Sequence, residues 1–181
     1  MVRSLASRIN FDRDLRGSAV NTSAPPVAIA MRVLIERATL ADEAAAWDVI
    51  AEYSDAVDVY VRDEPADVRA DLQGLGALWL ARCGEDVAGC VVMRPLPRLG
   101  PRACEVKRLY VRPTFRGARI AGALMDALES YARCAGYDAA YLDSKDELQT
   151  AIRFYERRGY ERVPRYNDNP EATVFMRLPL V

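Results

Sequence analysis

The chain reads as an α/β protein, a mixed sheet with helices on both faces. Three observations predict it. Short runs rich in Val, Ile, Leu and Tyr, of strand length, alternate with longer segments whose apolar residues recur at helical spacing. Gly, Pro, Asn and Asp mark most of the junctions between them. One junction, Leu109 to Met125, ends its strand in a turn of small residues that opens a helix. Such a turn leaves backbone N–H groups free at the positive end of the helix dipole, where a phosphate or pyrophosphate is well received.

The elements run in order along the chain. Residues 1–26 alternate Arg, Ser, Asp and Asn without period and end in Ala-Pro-Pro, so they read as a flexible tail before a single domain over 27–181. Met31 is an alternative natural start. Val27 to Arg37 is the first strand. Thr39 and Asp42 form a helix-capping signal, and Leu40, Ala44, Trp47, Ile50 and Ala51 give the next helix its apolar face. A second, short helix begins in the acids and proline of Asp63-Glu-Pro65 and ends at Gly74–Gly76. Ala77–Cys83 and Val87–Arg94 flank Gly84-Glu-Asp86 as a hairpin. After a Pro- and Gly-marked loop, Ala103 to Val111 is a strand. The following helix runs to about Ala135, with Leu124, Leu128 and Tyr131 on one face and Gly136 as its stop. Asp138 to Asp143 is a strand and Glu147 to Arg158 a helix. Tyr160 to Tyr166 and Ala172 to Leu178 are strands joined by the turn Asn167-Asp-Asn-Pro170. The order is β-α-α-β-β-β-α-β-α-β-β.

Composition narrows the chemistry. There is no histidine, which excludes Ser-His-Asp and Cys-His mechanisms and any His-based metal site. The four cysteines (Cys83, Cys90, Cys104, Cys134) lack C-x-x-C or zinc spacing and read as buried, reduced small hydrophobes in a cytoplasmic protein. A net charge of −1 argues against nucleic acid as a partner. No apolar run nears the ~20 residues of a membrane span.

The turn at 116–121 carries neither the dinucleotide fingerprint nor a P-loop. Arg116-Gly-Ala-Arg-Ile-Ala121 instead resembles the [Q/R]-x-x-G-x-[G/A] motif of the GNAT superfamily of N-acetyltransferases, with Arg119 where the motif has glycine. Upstream, Val106-Lys-Arg-Leu-Tyr-Val-Arg-Pro113 looks like the strand that precedes the motif. Downstream, Ala151-Ile-Arg-Phe-Tyr-Glu-Arg-Arg-Gly-Tyr160 resembles the superfamily's second signature. The likeness covers residues 31–181, with its specific part at 103–160.

The resemblance implies a GNAT-like three-layer fold, with a mostly antiparallel central sheet of six to seven strands. It implies acetyl-CoA as co-substrate, no metal, and transfer of acetyl to an amine by direct attack in a ternary complex. The alternative is a non-catalytic acetyl-CoA-binding or regulatory module. Pyrophosphate would lie on Arg116, Gly117, Ala118, Arg119, Ile120, Ala121 and Gly122, and the pantetheine arm along Leu109, Tyr110 and Val111. A helical conformation at Arg119 would not require glycine. Tyr155 takes the position of the acid toward the departing thiolate. Glu105, eleven residues before Arg116, takes that of the base in the superfamily's histone-acetylating members. Period-two alternation places Glu105, Lys107, Leu109 and Val111 on one face. Arg108, Arg112, Arg116 and Arg119 make a basic stretch suited to the coenzyme's phosphates. The expected partners are a small-molecule or peptide amine and, in assembly, a homodimer.

Overall fold

The computed structural model describes residues 32–180. The tail, the start of the first strand and Met31 lie outside the described residues. Seven strands form one sheet: β1 (Val33–Arg37), β2 (Ala77–Cys83), β3 (Asp86–Pro95), β4 (Ala103–Val111), β5 (Ala139–Ser144), β6 (Glu161–Arg162) and β7 (Val174–Pro179). Their spatial order is β1-β2-β3-β4-β5-β7-β6. Among the described residues only β4 and β5 run parallel; the other pairs are antiparallel.

Helices α1 (Glu43–Ala56) and α2 (Pro65–Ala70) cover one face, and α3 (Ile120–Cys134) and α4 (Gln149–Arg157) the other. The α3/α4 face holds the larger apolar cluster. Leu124, Leu128 and Ala132 of α3 pack there on Val91, Met93 and Val106. Gly136 and Gly159, with φ of 85° and 90°, end α3 and α4 in the left-handed turn that glycine adopts most easily. Among the described residues no helix is long and apolar enough to cross a membrane.

Three details depart from expectation. Helix α1 buries Ala46, Val49 and Ile50, while Leu40 stays half exposed at 50%. A 3-10 turn over Leu40–Asp42 precedes the helix, so its apolar phase starts one turn later than the pattern suggests. The Thr39–Asp42 capping interaction does form, the Thr39 N–H donating to Asp42 Oδ2 at 2.8 Å. Strand β6 is only two residues long, Glu161–Arg162, although the Val163 N–H still donates to the Phe175 carbonyl of β7 at 2.9 Å. Cys134 is exposed, unlike the other three cysteines, because it closes α3.

Besides a register shift in β2 at Ala81/Arg82, two irregularities of the sheet lie along β4. β4 and β5 pair only over Ala103–Glu105 and Ala139–Tyr141. Beyond that, β4 stays with β3 as far as Val111, and β5 stays with β7 as far as Ser144. The sheet therefore opens along a seam between them. Beside the seam β4 carries a bulge. Val92 pairs with Lys107 and Cys90 with Tyr110, so one β3 residue faces Arg108 and Leu109 together. Arg108 takes a left-handed φ of 56° there.

Candidate active site

The strand β4 and the start of α3 form one continuous edge. A short 3-10 turn at Pro113–Phe115 turns the chain out of β4. Gly117 (φ 86°) and Arg119 (φ 59°) then bend it into α3. Neither backbone nor side-chain acceptors among the described residues take the N–H groups of Gly117, Ala118, Arg119, Ile120, Ala121 or Gly122. The first intrahelical bond of this region is donated by Ala123 to the Arg119 carbonyl, at 3.2 Å. Six successive unfilled donors at the positive end of a fifteen-residue helix make an anion cradle. Residues 116–119 are exposed, and a Cβ on Gly117 or Gly122 would meet nothing within 4 Å.

Arg119 is not helical. It is the N-cap of α3 in the left-handed region, which favours glycine. The expectation that a helical conformation there does not need glycine is thus corrected. Sequence alone could not show this, because the turn at Gly117 sets the phase of the helix start.

The basic stretch is corrected as well. Arg108 points to the α1/α2 face and pairs with Asp63. Arg112 pairs bidentately with Glu52, at 2.8 and 2.6 Å, and donates to the Val87 carbonyl. Arg116 donates from Nε to the Val111 carbonyl at 3.1 Å. Arg119 forms no ion pair among the described residues. Arg116 and Arg119 are therefore the two arginines of the stretch left exposed at the cradle.

The bulge also divides β4. Leu109 and Val111 pack on the α3/α4 face, and Tyr110 packs on the α1 side against Tyr53, ring centroids 6.2 Å apart. Glu105 and Lys107 lie on the α1/α2 face. The strict alternation that put Glu105, Lys107, Leu109 and Val111 together fails at Arg108, where the extra residue shifts the phase.

Glu105 is buried and firmly held. Its Oε1 accepts from the Tyr166 hydroxyl at 2.9 Å and from Asn167 Nδ2 at 3.2 Å. Lys107 Nζ stands 3.4 Å from Oε2 and 3.6 Å from Asp143 Oδ1. Asp143 accepts 2.9 Å bonds from Asn167 and Asn169. Burial opposes its ionisation, but Lys107 and the two amides outweigh it and keep its carboxyl below the usual range. The turn after β6 is thus more than a chain reversal, since Tyr166, Asn167 and Asn169 support both carboxylates. Lys107 and Asp143 were not foreseen as site residues. For Lys107 the signal was the face it shares with Glu105, and for Asp143 there was none, because its partners come from other elements.

Tyr155 projects from α4 into the larger core cluster, its ring 5.7 Å from that of Tyr160 in an edge-on contact. It is 9% exposed and its hydroxyl forms no hydrogen bond among the described residues. Yet no fully buried side-chain polar atom there lacks a partner. The hydroxyl therefore reaches accessible space. Burial raises its pKa above the usual 10, and the charge of Tyr53 and of Asp143 raises it further. It remains a proton donor at neutral pH. The thiols of Cys90 and Cys104 are pushed up to about 12 by burial and stay protonated.

On the α1 side Lys145 Nζ donates to the Asp58 carbonyl and pairs with Glu171 Oε1, both at 2.7 Å. Glu171 also accepts from the Tyr60 N–H at 2.9 Å. These bonds tie the loop after α1 to the loop before β7.

Residues 41–160 match the model of the Acetyltransferase (GNAT) family. The chain is 37% identical over 107 residues to an uncharacterised N-acetyltransferase of Schizosaccharomyces pombe, covering 58% of this chain and 64% of that one. It thus spans less than two thirds of that relative. It is 32% identical over 152 residues to a protein named IAA acetyltransferase in Azospirillum brasilense, covering 78% and 97% of the two chains. In fold it is similar to a GNAT acetyltransferase from Staphylococcus aureus Mu50, with a TM-score of 0.69, 17% identity, and coverage of 83% of this chain and all of that one. The open seam, the cradle at the start of α3 and the matched span agree on one assignment: the chain belongs to the Acetyltransferase (GNAT) family.

Proposed function

We propose that the chain is an N-acetyltransferase that moves an acetyl group from acetyl-CoA to an amine by direct attack in a ternary complex. The observation that carries this reading is the run of six unfilled N–H donors from Gly117 to Gly122, set at the end of a strand whose free edge lines an open seam. The donor set fits a pyrophosphate, and the unpaired edge of β4 at 106–111 fits an extended chain with amide groups. Arg116 and Arg119 lie beside the cradle, where positive charge suits the coenzyme's phosphates.

The protein's own groups divide the chemistry. Backbone N–H near Leu109 donates to the oxygen that gains charge as the amine nitrogen bonds to the acetyl carbon. Glu105 takes the proton that the attacking nitrogen gives up, with Tyr166 and Asn167 fixing its orientation through Oε1 and leaving Oε2 beside Lys107. Tyr155 gives its proton to the sulfur as the C–S bond breaks, and burial keeps that proton on the tyrosine until then. The acceptor is a small-molecule or peptide amine, and the cytoplasm suits a protein that works with its thiols reduced.

Release of free coenzyme A thiol from acetyl-CoA across a panel of amines tests the reading. Amine-dependent release supports it. Coenzyme binding without release for any amine would point to the non-catalytic module instead.

A further inference from the structure

Arg108 is the residue most at odds with its surroundings. It sits in the middle of a strand, yet its φ is 56°, a region disfavoured for any residue with a Cβ. It is also a largely covered cation, 15% exposed at the side chain. Something else must hold it there, and the contacts show what. Asp63, at the end of the loop between α1 and α2, pairs through Oδ2 with Arg108 Nε, and its side chain is 4% exposed. The ring of Tyr53 lies 5.6 Å beneath the guanidinium. Asp63 Oδ1 is itself held by Arg94 at 3.3 Å, and Arg94 is clamped by Asp71 at 2.9 and 2.7 Å. Behind the bulge, Cys90 Sγ donates to the Arg108 carbonyl at 3.3 Å. Gly89 leaves no room for a Cβ against the Tyr110 carbonyl.

A buried ion pair adds little net stability compared with apolar packing, because desolvation offsets most of the attraction. What it does well is select one geometry. Here the geometry selected is the bulge, and the bulge sets which backbone groups of Leu109 to Val111 face the seam. We propose that Asp63 is a positioning residue: through Arg108 it locks the β4 bulge, and so presents the seam edge of β4 to the pantetheine and acetyl part of the co-substrate. This rests on the N-acetyltransferase reading for its ligand. It also links the loop after α1 to the thioester-binding strand, so the two sides of the site are set together.

Two measurements separate the lock from a general loss of stability. The first is amide hydrogen exchange of residues 106–111 in the protein without ligand. The second is calorimetric titration with acetyl-CoA and, in parallel, with ADP, which carries the pyrophosphate but no pantetheine. Asp63→Ala should speed exchange at 106–111 and weaken acetyl-CoA about tenfold, leaving ADP binding unchanged. Asp63→Asn, which keeps an oxygen for Arg108, should fall between it and the wild type and serves if the alanine variant does not fold. Two double variants then remove the buried charge pair. Asp63→Ala with Arg108→Gly adopts the bulge without help and should regain acetyl-CoA affinity. Asp63→Ala with Arg108→Ala keeps the strain and should not. Equal behaviour of the two doubles, or wild-type exchange and affinity in Asp63→Ala and Asp63→Asn, would overturn the proposal. If wild-type protein binds neither ADP nor acetyl-CoA, the enzymatic reading falls, and the exchange data still decide whether Asp63 holds the bulge.

Discussion

The two sides of the seam are built on opposite principles. At the start of α3 the polar groups are backbone donors with no acceptor among the described residues, and they carry no titratable atom. On the α1/α2 face the polar groups are side chains bonded to one another: Glu105 to Tyr166, Asn167 and Lys107, Asp143 to Lys107, Asn167 and Asn169, Asp63 to Arg108 and Arg94. The first side offers donors of the kind that suit an anion. The second is already satisfied by its own partners, so it holds its own shape. A cradle of the first kind suits a ligand common to a whole family.

The contrast makes the chemistry separable from binding. On the proposed roles, Tyr155→Phe removes the proton for the thiolate, and Glu105→Gln removes the proton acceptor together with its charge pairing to Lys107. Each should lower turnover about 10²-fold with acetyl-CoA affinity unchanged. Equal loss of rate and affinity would make Tyr155 a packing residue. Since burial lifts the Tyr155 pKa above 10, its ionisation should not limit turnover below about pH 10.

Gly122→Asp acts on the other side. Its Cβ would meet nothing within 4 Å, so the fold should accept it. A carboxylate inside the cradle then opposes the pyrophosphate, and acetyl-CoA should bind about tenfold more weakly, roughly 1.4 kcal/mol. Unchanged affinity would place the pyrophosphate elsewhere.

Acid separates the two sides without mutation. Burial works against ionisation of Asp63 and Asp143, but Arg108 and Arg94 for the first, and Lys107 with two amides for the second, hold both below the ordinary 3.8. Their folded pKa values lie under the unfolded ones. The stability they contribute is therefore present above about pH 5 and lost as the pH falls below about 4. Hydrogen exchange corrected for its intrinsic pH dependence should show the 163–172 loop and the loop after α1 loosening first. The start of α3 should follow only with global unfolding.

The smallest effect concerns Arg119. Its left-handed N-cap conformation makes Arg119→Gly stabilising by about 0.5–1 kcal/mol, read as a higher Tm. Destabilisation would mean that the arginine side chain contributes more than its backbone strain costs.

The same contrast explains what could be read in the sequence. The order of elements, the hairpin at 77–95 and the turn into α3 are local, set by strand and helix periodicity and by glycines a few residues away. The cradle was legible because its donors belong to six successive residues. The side-chain network on the α1/α2 face was not, because its partners are far apart in the chain. Tyr166 reaches Glu105 across 61 residues and Arg108 reaches Asp63 across 45. The bulge at Arg108 was hidden for a further reason. An arginine in the left-handed region leaves no mark in a pattern of apolar alternation, and every side-chain direction after it is reversed.

The most direct test of the central claim is amide hydrogen exchange at Gly117–Gly122 with and without acetyl-CoA. These six N–H groups have no acceptor among the described residues, so they should exchange fast and slow markedly when the co-substrate is added, with affinity in the micromolar to millimolar range, about 1 μM to 1 mM. Unchanged exchange at all six with millimolar acetyl-CoA present would contradict the account.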